Sequence, residues 1–275
     1  MKSYIFLVII LVVLLIYSIA NYYLYIRGMQ AFSITQPLKK WYLIAFLLLS
    51  SSFFVGMILE RTASSAFSEW VVRVGTMWLP FMLYLLMAVV LIDIVRVFNH
   101  FFHFLPLITP SLKQTVGIVT ISLVTVVVIT GYINAMTVHV KEISLTINKK
   151  VEGKPEMKVL MVSDIHLGAL IRERHEQRLL HIINEQKPDL VLICGDLIDS
   201  EIAPVIRKKL GKHIQEIKTP FGVYAVTGNH EYIGGIDQSL AYLKSIHIKM
   251  LIDSIVTLPN GVQVVGRNER RRDME

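Results

Sequence analysis

The sequence contains a single cysteine, Cys194, among 275 residues, so no intramolecular disulfide framework can staple it. A lone thiol carries no information about compartment. Charge is also scarce: Asp, Glu, Lys and Arg make up 18% of the chain, against about 25% in an ordinary soluble domain. The shortfall lies almost wholly before residue 140. From about Lys141 onward charge is as dense as in a water-soluble protein, so the mean hydropathy of +0.55 averages two unlike halves. That division excludes one large soluble enzyme and equally excludes a pure membrane bundle. Internal repeats, a glycine-rich phosphate loop and any recognisable nucleic-acid module are missing too. Nucleic-acid binding is therefore not expected, despite a net charge of +7.

The long hydrophobic runs sit in the first half. Residues 4–26, 41–59, 74–92 and 116–138 are apolar, lack Lys and Arg, and approach or exceed the roughly 20 helical residues that a hydrocarbon core requires. Four membrane-spanning helices are predicted, with Tyr22, Tyr23, Trp41, Tyr42 and Trp78 near their ends, where amphipathic rings prefer the interface. Ser18-Ile19-Ala20 offers small residues where a signal peptidase could cut. The apolar run continues through Ile26, however, which favours an uncleaved anchor. Counts of Lys and Arg do not settle which compartment the second half occupies. Asp93 and Arg96, three apart on one helical face, are expected to pair at the interface. His100 and His103 lie in an aromatic stretch without cysteine or carboxylate beside them and read as an interfacial loop, not a metal site. Region 1–140 is thus a membrane anchor with the lipid bilayer as its partner. A transporter is disfavoured because the spans show no broken helices or buried charges.

Residues 141–156 read as a linker leading into the first strand, and 157–275 as an α/β domain. Short apolar runs at 157–163, 190–194 and 222–227 alternate with helical patterns at 172–185, 203–217 and 237–245. Strands at 250–257 and 262–265 then flank a Pro259-Asn260-Gly261 turn. Such alternation implies a sheet covered by helices, with chemistry gathered beyond the carboxyl ends of its strands.

The polar residues fall at those ends. The first strand runs into Ser163-Asp164-Ile165-His166, the second into Gly195-Asp196-Leu197-Ile198-Asp199 and the third into Gly228-Asn229-His230-Glu231. Carboxylate, imidazole and amide oxygen together suit borderline-to-hard divalent ions such as Mn, Fe or Zn, and no thiolate is placed to compete. Asp164 and His166, at i and i+2, can face one ion. Asp196 has two oxygens with which to bridge two ions, and Asn229 offers a neutral oxygen to the second. Two ions about 3.5 to 4 Å apart can polarise a phosphoryl group and activate water, so the implied reaction is phosphoester hydrolysis.

These motifs resemble the calcineurin-like metallophosphoesterases, in their order Asp-x-His, Gly-Asp-x-x-Asp and Gly-Asn-His-Glu. They are similar in particular to a bacterial, membrane-associated branch acting on phospholipid-like or nucleotide-sugar-lipid substrates. The resemblance covers roughly residues 155–268. It implies a four-layer α/β/β/α sandwich, Asp164, His166 and Asp196 as ligands of one ion, Asp196 and Asn229 as ligands of the other, and His230 as the catalytic group contacting the phosphate or protonating the leaving oxygen. The family completes its site with a later histidine and a Gly-His-x-His motif that do not follow His230 here, so the last strands are expected to be missing, and a fragment of a longer protein is favoured over a natural short form with an impaired site.

The remaining residues have milder readings. Asp199 either orients a ligand or caps the helix that follows, and Glu231 is structural or supports a ligand. His175, His181 and His213 are expected to be solvated, and Cys194 to be a small core residue. The basic stretch 207–212 could meet anionic headgroups or a phosphate substrate, and 267–272 reads as a solvated loop. Two functions follow: a membrane-anchored phosphoesterase acting on a mono- or diester, lipid-linked by the argument from location, or a non-catalytic scaffold with a degenerate phosphoesterase-like domain.

Overall fold

The computed structural model describes residues 2–148 and 156–268. Most of the 141–156 linker's basic cluster, including Lys149, Lys150 and Lys154, lies outside the described residues, as do residues 269–275. The chain divides into two units: Met1–Ile58 with Trp70–Val138, and Leu59–Glu69 with His139–Glu275.

The first unit is built on four helices, α1 (Lys2–Ala31), α2 (Leu38–Thr62), α3 (Ala66–Phe102) and α4 (Pro110–Ala135), with the end of α2 from Leu59 and the start of α3 through Glu69 belonging to the second. All four are long and apolar enough to cross a membrane. The helices number four, as expected, and extend beyond the apolar runs into polar flanks that hydropathy does not mark, except that α4 ends at Ala135, short of the expected 138. The 37 residues of α3 exceed by far the roughly 20 needed to span. Its Pro80 lies inside the helix, where neighbouring helices can resatisfy the freed backbone group. At the start of α4, Thr109 accepts a hydrogen bond from the Leu112 amide at 3.2 Å, with Pro110 in the first helical turn.

Polar residues within this unit tie helices together. The Trp78 indole, expected at an interface, is instead buried and donates to Asn21 Oδ1 at 3.0 Å, so α1 and α3 share a satisfied polar contact among apolar side chains. Asp93 does pair with Arg96, at 3.4 Å. It also receives Arg27 and the Tyr23 hydroxyl, a partnership across two helices that a search along one helical face could not find.

The second unit carries a four-stranded parallel sheet in the order β1 (Val159–Val162), β2 (Leu190–Cys194), β3 (Val223–Val226), β4 (Lys249–Met250). Leu190 pairs with Val159, and Val191 with both Leu160 and Val223. Between the strands run α5 (Glu173–Glu185), α6 (Ile202–Lys208), α7 (Asn229–Gly234) and α8 (Ile236–Ser245). Side chains of successive strand residues leave opposite faces, and the two faces have different covers. Val191, Ile193 and Ala225 join Ile183 of α5, Val205 of α6 and Leu243 of α8 in one core. On the other face Leu190 and Tyr224 pack with Val256 and Val264, from an antiparallel hairpin of β5 (Ser254–Thr257) and β6 (Gln263–Gly266). Helices thus cover one face of the parallel sheet and the hairpin the other. Ile255 and Val265, on the hairpin's outer face, are exposed.

Two expected elements are broken. The single helix over 203–217 ends at Lys209, whose φ of 53° is left-handed, and restarts after Gly211 as a short 3-10 helix, Lys212–Glu216. The expected strand over 250–257 is interrupted at Asp253, with φ 44°. The 207–212 stretch is also less available than its charge suggests. Arg207 and Lys208 both engage Glu69, a buried carboxylate within the same unit, and Lys212 bonds Glu173 at 2.9 Å. His213 is not simply solvated: its ring bridges Glu173 at 3.0 Å and Glu216 at 2.6 Å. Hydrogen bonding to Glu173 raises its pKa above the ordinary value. Cys194 is exposed at the end of β2, not in the core.

Candidate metal centre

Because β1, β2 and β3 are parallel neighbours, their carboxyl ends open on one edge of the sheet. Each delivers a motif there. The first two turns are zipped by backbone hydrogen bonds: the Asp164 amide donates to Gly195 O at 3.3 Å, the His166 amide to Asp196 O at 3.0 Å and the Leu167 amide to Leu197 O at 2.9 Å. This ladder forces an unusual backbone. Asp164, His166 and Asp196 have φ of 56°, 51° and 50°, a left-handed region that non-glycine residues seldom occupy. Three such residues within facing turns is strain concentrated at one place, a signature of a working site.

The third turn is attached through Glu231. Its carboxylate is buried and accepts from three amides, those of Ile198 at 2.9 Å, Asp196 at 3.2 Å and Gly228 at 2.8 Å. The last of these satisfies the free amide at the start of α7. Asp196 Oδ1 accepts in turn from the His230 amide at 2.9 Å. The approach of the turns leaves no room at Gly228, where a Cβ would lie 2.2 Å from Asp196 Oδ1. Gly228→Ala should therefore push the Asp196 carboxylate out of place. Its expected result is at least about a tenfold loss of Mn2+ affinity, measured by equilibrium binding to the full chain in detergent.

Ligand-capable atoms of His166, Asp196 and His230 lie within 4.8 Å of one another. The rings of His166 and His230 meet edge to face with centroids 4.4 Å apart. Asp199 Oδ1 lies 3.2 Å from His230 Nδ1 and accepts from the Ser200 amide at 2.7 Å, while Ser200 Oγ lies 2.9 Å from the same Nδ1. With Nδ1 so held, Nε2 is the nitrogen left for a ligand. Asp164 is exposed and stands 3.8 Å from His166 Nε2, outside the three-residue group. Asn229, the first residue of α7, is exposed as well. Nitrogen and oxygen donors without thiolate fit a borderline divalent ion.

A family model described as calcineurin-like phosphoesterase matches residues 157–271. This region is similar to the calcineurin-like phosphoesterases. Curated relatives agree. It is 30% identical over 118 residues to an uncharacterized metallophosphoesterase of Aquifex aeolicus, covering 43% of this chain and 44% of that one. It is 35% identical over 106 residues to an uncharacterized metallophosphoesterase of Campylobacter jejuni, covering 38% and 28%. It is 31% identical over 123 residues to a transmembrane protein with metallophosphoesterase domain of Danio rerio, covering 44% and 27%. The chain spans less than half the length of these relatives. No solved structure matches it.

The phosphoesterase domain brings in residues that motif reading passed over. Ser200 follows Asp199 directly and could have been flagged as its neighbour. Asn268 could not, because it belongs to a stretch read as solvated loop. It is instead half-buried and accepts from Thr227 and Tyr232. The rest of that stretch, 269–272, lies outside the described residues.

Proposed function

We propose that the chain is a multi-pass cell-membrane protein whose phosphoesterase domain hydrolyses phosphate mono- or diesters, lipid-linked ones in particular, with two divalent ions. The observation that supports this best is the convergence of His166, Asp196 and His230 on the carboxyl edge of a parallel sheet. His166, Asp196 and Asp164 would hold one ion. Asp196 and Asn229 would hold the second. Bound divalent ions supply Lewis acidity toward the phosphoryl group and lower the pKa of water. His230, its Nδ1 anchored by Asp199 and Ser200, directs Nε2 toward the phosphate and passes a proton to the leaving oxygen. The lipid-linked substrate follows from the four apolar helices, which confine the domain to a membrane surface.

The full chain purified in detergent is expected to bind Mn2+ and to hydrolyse a chromogenic phosphodiester only when Mn2+ is present, with activity lost on chelation and restored by readdition. Stoichiometric metal without hydrolysis of mono- or diesters would reject this reading in favour of a scaffold.

A further inference from the structure

Asn268 lies just past β6, and its carboxamide oxygen accepts two hydroxyl hydrogen bonds, from Thr227 Oγ1 at 2.8 Å and from the Tyr232 hydroxyl at 2.7 Å. These donors bracket the third motif: Thr227 immediately precedes Gly228, and Tyr232 immediately follows Glu231. Asn268 is itself held from the opposite direction, since its amide donates to Asp253 Oδ1 at 3.1 Å. Asp253 ends the link from β4 and Asn268 follows the return strand β6, so the base of the β5–β6 hairpin is closed on the residue that grips the turn.

We infer that Asn268 is a positioning residue for the metal centre, a clasp that fixes both ends of the Gly228–Glu231 turn and couples it to the β5–β6 hairpin. The inference rests on the metal-binding reading above and extends it to a residue far along the chain. Thr227 is buried, so removing its acceptor leaves a hydroxyl that water reaches poorly, and that penalty is relieved by movement of the turn. Movement matters here because the turn stands against Asp196 with no space to spare, and supporting hydrogen bonds commonly set ligand affinity within a factor of 10 to 100. Glu231 secures the turn from inside, toward Asp196 and Ile198, and the Asn268 clasp secures its flanks.

The test is Mn2+ binding to the full chain in detergent, with hydrogen exchange of the 228–231 amides read in parallel. Asn268→Ala is expected to weaken Mn2+ binding about tenfold and to speed exchange in that turn, with the unfolding temperature of the domain nearly unchanged. Asn268→Asp keeps an oxygen acceptor for both hydroxyls and should retain most of the affinity. Thr227→Val with Tyr232→Phe should reproduce the loss, and adding Asn268→Ala to that pair should cost nothing further, since one interaction cannot be removed twice. Unchanged affinity and exchange in Asn268→Ala, or a further additive loss on the double variant, overturns the clasp. Wild-type chain that binds Mn2+ but cleaves no phosphoester rejects the proposed activity and leaves the clasp to be judged by affinity alone. A wild-type chain that binds no Mn2+ overturns both.

Discussion

Replacing Asp196 by alanine is expected to abolish Mn2+-dependent phosphoester hydrolysis while leaving membrane insertion intact. The carboxylate has two duties. One oxygen accepts the His230 amide, and the carboxylate as a whole is the one acid in the three-residue group with His166 and His230. Alanine removes the anionic ligand and leaves the His230 amide without its acceptor, so the defect is both electrostatic and geometric. Residues that only support a ligand cost 10- to 100-fold; loss of the ligand itself should exceed about 100-fold in metal affinity. Asp196→Asn separates the two duties, because its amide oxygen can still accept from His230 but carries no charge to hold a dication. It should keep the turn's hydrogen exchange and lose the metal. Asn229→Ala should also abolish hydrolysis, with binding of one ion retained. Activity surviving in both Asp196→Ala and Asn229→Ala would defeat the ligand assignment.

The sequence made the parallel sheet and its chemical edge legible for a simple reason. The apolar runs of β2 and β3 are short and uniform because both faces of the sheet are covered there, and all three strands end in a polar cluster at the same side. Periodicity also located α5, whose Leu179, Leu180 and Ile183 pack into the core beside Val191 and Ile193. What stayed hidden was local backbone conformation. The breaks at Lys209 and Asp253 use left-handed residues that carry no hydrophobic signature, so a pattern search joined what the chain separates. The site was legible as motifs but not as a geometry. Nothing in the spacing distinguishes His230, which the fold brings to Asp196 and His166, from Asp164, which stays exposed one side chain away. Long-range partners such as Arg27 with Asp93, or Asn268 with Thr227, depend on packing between elements and leave no local trace.

Glu231 should be the residue on which the site's stability depends most. Its buried carboxylate accepts from Asp196, Ile198 and Gly228, so one side chain supplies the acceptor for three main-chain donors in two separate turns. Hydrogen bonds to a charged acceptor are stronger than neutral ones, which offsets the cost of burying the charge. Glu231→Ala leaves those donors, one buried and two half-buried, without their acceptor, at about 1–3 kcal/mol for each. The sum, about 3 kcal/mol at the least, is a large share of the 5–15 kcal/mol by which domains are ordinarily stable. Thermal unfolding of the full chain in detergent should show the phosphoesterase domain melting well below wild type, with Mn2+ binding lost even at temperatures where the fold survives. Glu231→Gln should fall between, since its carbonyl oxygen can serve either the Ile198 amide or the Asp196 and Gly228 amides while its NH2 opposes the rest. Unfolding and metal affinity unchanged in Glu231→Ala would mean that the second and third turns are held together by the contacts of His230 with Asp196, Asp199 and Ser200, and that the carboxylate is dispensable to the centre it surrounds.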